Sequence, residues 1–241
     1  MAALTLLCTT DLHGRLTRAA AQRLRALRQE RQALLVDCGD AVTAPNVLVW
    51  PWTEQVLTRM NEAGYQAMAA GNREFFFRYR GLLRKTVTAT FPVLAANLTR
   101  RDGQPALSSH VILTSAGGDR VGCFGLMREM ICPGAALEAF SDLRFQPWQE
   151  IARAQVEDLR SQVDWLVALS HLGPETDEEL AALCPELDLL LSGHGHPARV
   201  SLRRVGLVTL VTPAPYLREV VYLRSRGDTS PSEFSLEAIK L

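Results

Sequence analysis

Little in this chain would commit it to a membrane, a disulfide scaffold or a polyanion. Acidic and basic side chains number 26 each among 241 residues, so the formal net charge is zero. That balance offers no overall electrostatic case for nucleic acid or anionic lipid. Lysine is nearly missing, with Lys85 and Lys240 alone; the arginine excess reads as genome composition before function. The cysteines Cys8, Cys38, Cys123, Cys132 and Cys184 are odd in number and scattered, and no CxxC spacing occurs. Neither a zinc knuckle nor a disulfide framework is indicated. No apolar run reaches membrane-spanning length, and the N-terminus lacks the basic start of a signal peptide. Repeats, low-complexity tracts and linkers are also lacking. The expectation is a soluble, reduced, cytoplasmic protein forming a single domain over residues 1–241.

Hydrophobic residues make up 47% of the chain, enough for a sizeable core. Short apolar runs predict strands at 4–8, 33–36, 65–70, 91–96, 164–169, 187–191, 206–211, 217–223 and 234–239. Amphipathic stretches between them predict helices at 17–31, 52–63, 78–88, 147–162 and 175–183. Gly64 is a suitable helix terminator. The runs 110–114 and 120–127 flank Ala116-Gly117-Gly118-Asp119, the turn of a predicted hairpin. One α/β domain, partly parallel and partly antiparallel, fits this order.

Five motifs occur in sequence: Asp11-Leu12-His13-Gly14, Cys38-Gly39-Asp40, Gly71-Asn72-Arg73-Glu74, Ser170-His171-Leu172-Gly173 and Gly193-His194-Gly195-His196. They hold four of the five histidines and together offer two carboxylates, an amide and four imidazoles. Each follows an apolar run, which puts it beyond a strand's C-terminal end, where α/β sheets gather their ligand sites. Asp11 with His13, and His194 with His196, are spaced i and i+2, so in an extended segment each pair faces one cavity. Mixed imidazole and carboxylate donors suit zinc, iron or manganese better than calcium. Two divalent ions against two aspartates and a bridging hydroxide leave a cationic cavity, fit for a phosphoester.

As an ordered set these motifs resemble those of the calcineurin-like binuclear metallophosphoesterases, most closely the catalytic domain of bacterial 5′-nucleotidases. Asn61-Glu62-Ala63-Gly64-Tyr65, Ala95-Ala96-Asn97-Leu98, Val121 to Leu126 and the stretch 147–196 share the likeness. The resemblance implies a four-layer α/β/β/α sandwich with two mixed sheets and two divalent ions (manganese, iron or zinc) at the loop ends. It implies Asp11, His13 and His196 on one ion, Asp40 bridging, and Asn72, His171 and His194 on the other. Asn97 would lie beside them near the substrate, with capping of its own loop an equal alternative.

Two departures stand out. The family usually has His where this chain has Arg73, and the Asp that would orient that His is replaced by Phe76. A guanidinium grips phosphate oxygens but gives up no proton near neutral pH. Arg73 is therefore expected to bind substrate and stabilise charge without serving as general acid; the plain alternative is an ion pair with Glu74. The family's C-terminal nucleotide-specificity domain is also not expected here. Arg15, directly after the first motif, is a further phosphate-contact candidate. Trp50-Pro51-Trp52 offers an indole for stacking, although Pro at a helix start is the commoner explanation.

The expected activity is hydrolysis of a small phosphoester, nucleotides among the candidates, by a metal-bridging hydroxide. The rivals are a phosphodiesterase acting on cyclic nucleotides or small diesters, and a catalytically weak metal- or phosphate-binding protein.

Overall fold

The computed structural model of the chain describes residues 3–49, 53–225 and 233–241. Along it lie β1 (Thr5–Thr9), α1 (Arg18–Arg31), β2 (Leu34–Asp37), α2 (Gln55–Ala63), β3 (Ala67–Ala69), α3 (Tyr79–Thr86), β4 (Val93–Leu94), β5 (Leu98–Arg100), β6 (His110–Thr114) and β7 (Arg120–Met127). Then come β8 (Leu143–Phe145), α4 (Trp148–Arg160), β9 (Trp165–His171), α5 (Pro174–Leu183), β10 (Leu189–Ser192), β11 (Ser201–Val205), β12 (Val208–Thr212), β13 (Val220–Ser225) and β14 (Phe234–Ile239). The Trp50-Pro51-Trp52 segment lies outside the described residues.

Two large sheets run in the orders β14-β13-β1-β2-β3-β4 and β11-β12-β10-β9-β7-β6; β5 and β8 pair separately. In each large sheet the central strands are parallel. Antiparallel partners close both edges of the second sheet but only the β13–β14 edge of the first, whose other edge is the parallel β4. Parallel strands covered on both faces should be apolar throughout, and β2, β9 and β10 are buried at every position.

Side-chain alternation assigns the layers. Leu6, Cys8, Val36, Val167, Leu169 and Leu191 point into a core between the two sheets. Leu7, Leu35 and Met68 point the other way, onto Ala21 and Leu24 of α1 and Val56, Leu57 and Met60 of α2. Phe124, Leu126, Ala168 and Leu190 meet Ala152, Val156 and Leu159 of α4 and Leu180 of α5. The result is the expected four-layer α/β/β/α sandwich.

Local chemistry sets the helix ends. Thr17 caps α1, its Oγ1 accepting the Ala20 N–H at 3.1 Å. Gly64 ends α2 at φ 85°, a left-handed turn open to a residue without Cβ. Pro174 opens α5 at its first turn, where its missing N–H costs nothing. The hairpin turn closes with Ser115 N–H on the Asp119 carbonyl at 2.9 Å. The sequence reading did not anticipate β11, the short β5–β8 pair or the 3-10 turn Ala136–Phe140. β11 is mostly exposed and carries no apolar period, so only its pairing with β12 makes it a strand.

The sheets pack tightly together at Gly125 of β7. A Cβ there would lie 2.5 Å from Leu94 Cβ and 2.6 Å from the Leu94 carbonyl oxygen, so backbone meets backbone with no room for a methyl group. Gly125→Ala should lower stability by about 1–3 kcal/mol, as overpacking does, and Gly125→Val by more. Denaturant midpoints of the two variants check this; an unchanged midpoint for the valine variant refutes it.

Candidate metal centre

All seven predicted ligand residues arrive at one place, the C-terminal edges of both sheets. The first sheet supplies Asp11 and His13 after β1, Asp40 after β2 and Asn72 after β3; the second supplies His171 at the end of β9 and His194 and His196 after β10. Donor atoms of Asp11, His13 and His196 lie within 4.8 Å of one another, as do those of Asp11, Asp40 and His171. Asn72 joins through Nδ2, 3.3 Å from His194 Nδ1. Asp40 faces both halves, with Oδ2 3.5 Å from His13 Nε2 and Oδ1 3.5 Å from His171 Nε2.

The i and i+2 expectation needs a correction in its geometry. Asp11 and His13 are not extended; they sit at φ 49° and 46°, as do Asp40 at 58°, His194 at 68° and His196 at 45°. Left-handed backbone is uncommon outside glycine, least so for Asp and His, and gathers where function requires it. The loop after β1 turns sharply because it follows the loop after β2. Asp11, His13 and Gly14 donate their N–H groups to the carbonyls of Gly39, Asp40 and Ala41 at 2.8–3.0 Å. The side chains converge although the backbone coils.

Two of the four imidazoles are oriented from behind, and a third meets a guanidinium. His171 donates from Nδ1 to the Cys38 carbonyl at 2.7 Å, which turns Nε2 into the cluster. His196 Nδ1 meets Tyr216 Oη at 3.1 Å while its Nε2 lies 2.8 Å from Asp11 Oδ1. His194 Nε2 meets Arg128 Nη1 at 3.1 Å. Three inward-facing buried atoms, His13 Nε2, His171 Nε2 and Asn72 Oδ1, have no hydrogen-bond partner. Buried polar atoms rarely stay unsatisfied; all three belong to ligand-forming groups, and the two imidazole nitrogens face Asp11 and Asp40. The donor set fits divalent cations.

The electrostatics point the same way. Burial works to raise the Asp40 carboxyl, but the neighbouring His13 and His171 imidazoles and the Arg73 N–H hold it well below the usual carboxylate range. Asp11 is likewise lowered, burial again opposing and the His196 hydrogen bond prevailing. Against burial, Asp40 and Asp11 raise His171 to about 9. Positive charge favoured on His171 and His196 thus offsets the two buried carboxylates, and a cation would take over that role.

Of the other expected contacts, Arg73 places its backbone N–H on Asp40 Oδ1 at 2.7 Å and its guanidinium on the Thr43 carbonyl at 3.1 Å. It does not pair with Glu74. That carboxylate is buried and accepts the N–H groups of Asp40, Gly71, Ala41 and Val42 at 2.7–3.1 Å. Arg15 stacks on Tyr216, Cζ 4.3 Å from the ring centre. Asn97 is corrected from substrate contact to brace: it is fully buried, and both ends of its amide bond the Met127 backbone at 2.8 and 3.1 Å.

Sequence reasoning missed Tyr216, Arg128 and Asp177. Tyr216 follows β12 as the motifs follow their strands, a signal that was available; Arg128 likewise follows β7. Asp177 carries no such mark. Its buried carboxylate on α5 accepts hydrogen bonds from the hydroxyls of Ser170 and Ser192, which are paired neighbours on β9 and β10. One side chain thereby straps together the strand ends that present His171 and His194.

Burial pushes the Asp177 carboxyl up from 3.8 to about 6, only partly offset by the two serines. The folded chain therefore holds this proton where the unfolded chain has released it, so stability falls as pH rises from 3.8 to about 6. In metal-free protein, Asp177→Asn should remove about 2–3 kcal/mol of that fall. Urea unfolding of both proteins across this range measures it; parallel curves would refute it.

A profile of the calcineurin-like phosphoesterase family matches residues 4–198. A snake venom 5′-nucleotidase from Crotalus adamanteus is 28% identical over 228 residues, covering 79% of this chain and 36% of the relative. Protein UshA from Yersinia enterocolitica is 31% identical over 149 residues, covering 56% and 27%. The crystal structure of a 5′-nucleotidase precursor from Thermus thermophilus superposes with a TM-score of 0.79 at 23% identity, over 99% of this chain and 54% of the other. The chain thus spans about a third of the length of these curated relatives. With the motifs, the fold and the family match in agreement, this chain belongs to the calcineurin-like phosphoesterases.

Proposed function

We propose that this chain is a metal-dependent phosphoester hydrolase working through two divalent ions. The observation that carries the reading is the convergence of two unpartnered buried imidazole nitrogens, His13 Nε2 and His171 Nε2, on the Asp11–Asp40 pair. Asp11, His13 and His196 would hold one ion, Asn72, His171 and His194 the other, with Asp40 between them. When bound, such ions lower the pKa of water and offset charge on the transferring phosphoryl group. Manganese, iron and zinc all suit these donors.

The chain's own residues decide what is bound and which bonds break. Arg73, beside Asp40, offers guanidinium donors beyond the one on Thr43 and would grip phosphate oxygens. It carries no proton to give the departing oxygen. Losing a general acid costs roughly 10²–10⁴-fold, most for basic leaving groups. The favoured substrates are then aryl phosphates, small diesters or phosphoanhydrides. The same argument admits a second reading, phosphodiesterase activity on small diesters with an acidic leaving group; a cyclic nucleotide, which expels a basic alkoxide, fits it less well. Nucleotides enter as candidates because the relatives above are nucleotidases.

Manganese-loaded protein is expected to hold about two ions per chain by elemental analysis and to cleave p-nitrophenyl phosphate or its bis-ester about 10²-fold or more faster than an alkyl phosphate. Arg73→His should narrow that gap by accelerating the alkyl substrate. Equal rates on all substrates would defeat the leaving-group argument, as would a large gain on aryl substrates in the variant. Full metal loading without turnover on any ester would instead establish a binding protein.

A further inference from the structure

A cleft of about 630 Å³ opens beside the metal centre, with His194 as the one proposed ligand on its wall. Its volume is in the range of small-molecule sites and far exceeds what a phosphate alone needs. Arg128 stands at the boundary. One guanidinium nitrogen touches His194 Nε2, and the side chain is otherwise exposed, so its remaining donors face the opening. Asn97 fixes this position from behind, holding the backbone of the preceding Met127 at both N–H and carbonyl.

Among the residues lining the cleft, Leu172, Pro174 and Trp148 offer apolar surface. The N-terminus of α5, without a side-chain cap, opens onto it. Glu129 and Glu175 also line it. One guanidinium against two carboxylates in the same cleft suits a ligand with a single anionic group and opposes a second.

We propose that this cleft is the leaving-group subsite of the metal centre: Arg128 grips the phosphoryl group at its mouth, and an uncharged, ring-bearing leaving group lies along Leu172, Pro174 and Trp148. The inference rests on the hydrolase reading and narrows it. Of the substrates with good leaving groups, aryl esters and ring-bearing diesters fit, whereas phosphoanhydrides such as nucleoside di- and triphosphates would set further negative charge against Glu129 and Glu175.

Calorimetric binding of two unreactive ligands to manganese-loaded protein tests the proposal. Phenylphosphonate fills the subsite; methylphosphonate offers only the phosphate end. Thr176→Trp, which blocks the cleft from α5, should weaken phenylphosphonate at least tenfold and methylphosphonate less than twofold. Arg128→Gln should weaken both by a similar factor, and Glu129→Gln with Glu175→Gln should strengthen binding of methylenediphosphonate. Thr176→Trp leaving phenylphosphonate affinity intact, or reducing both ligands equally, would overturn the subsite; so would Arg128→Gln leaving both unchanged. Failure of the hydrolase reading has a different signature: wild-type protein that binds neither phosphonate and takes up no metal.

Discussion

The structure turns on one buried carboxylate, Asp40, held between imidazoles carried by different sheets. His13 comes from the first sheet and His171 from the second, each 3.5 Å from a different Asp40 oxygen. A carboxylate removed from water costs several kcal/mol unless it is paired and hydrogen-bonded. Its partners here can reach it only if the C-terminal edges of the two sheets meet. Backbone must therefore pack against ligand. A Cβ on Gly71 would fall 2.3 Å from Asp40 Oδ1 and 2.9 Å from His171 Nε2. Glycine at this position follows from the crowding around the charge, just as Gly125 follows from the closeness of the sheets farther along.

Two further buried carboxylates, neither a proposed ligand, keep that arrangement in place, one for each sheet. Glu74 collects four backbone N–H groups and fastens the loop after β2 to the loop after β3, setting Asp40 against Asn72 and Arg73. Asp177 collects two serine hydroxyls and fastens the end of β9 to the end of β10. Burial raises the proton affinity of both carboxyls. The fold thus tolerates costly groups where they hold left-handed ligand residues that would otherwise relax. Strain at Asp11, His13, Asp40, His194 and His196 persists because the braces over-determine it.

The ligands were legible because each is a polar residue directly after an apolar strand, a local pattern that survives without knowledge of the fold. The strands and helices were legible from apolar runs, amphipathic stretches and the stop at Gly64, whereas their stacking into four layers came from the family resemblance. What escaped lies in contacts between distant segments. Nothing near Asp177 announces that Ser170 and Ser192 will be neighbours, because strand pairing creates that. The coil at Asp11 and His13 escaped because its cause is the adjoining loop around Gly39 to Ala41. Asn97 read as a candidate substrate contact since an Asn at a strand end is equally fit for a ligand or for a neighbouring backbone. Only burial separates the two roles.

Lys85 extends this logic to Arg73. In a chain whose cations are otherwise almost all arginine, this lysine is fully buried, and its ammonium donates to the carbonyls of Pro45, Arg73 and Phe75. Three converging carbonyls match three N–H donors around one nitrogen; a planar guanidinium would spread its donors too widely to satisfy them from one point. Burial lowers the Lys85 pKa to about 8, so the charge is kept near neutral pH at some cost. The contact ties α3 to the Arg73 carbonyl, while the Arg73 N–H is tied to Asp40. With its backbone held at both ends and its half-buried guanidinium tied only to the Thr43 carbonyl, Arg73 is anchored beside the candidate metal centre with donors left for an anion there. That combination is what a phosphate-gripping residue requires.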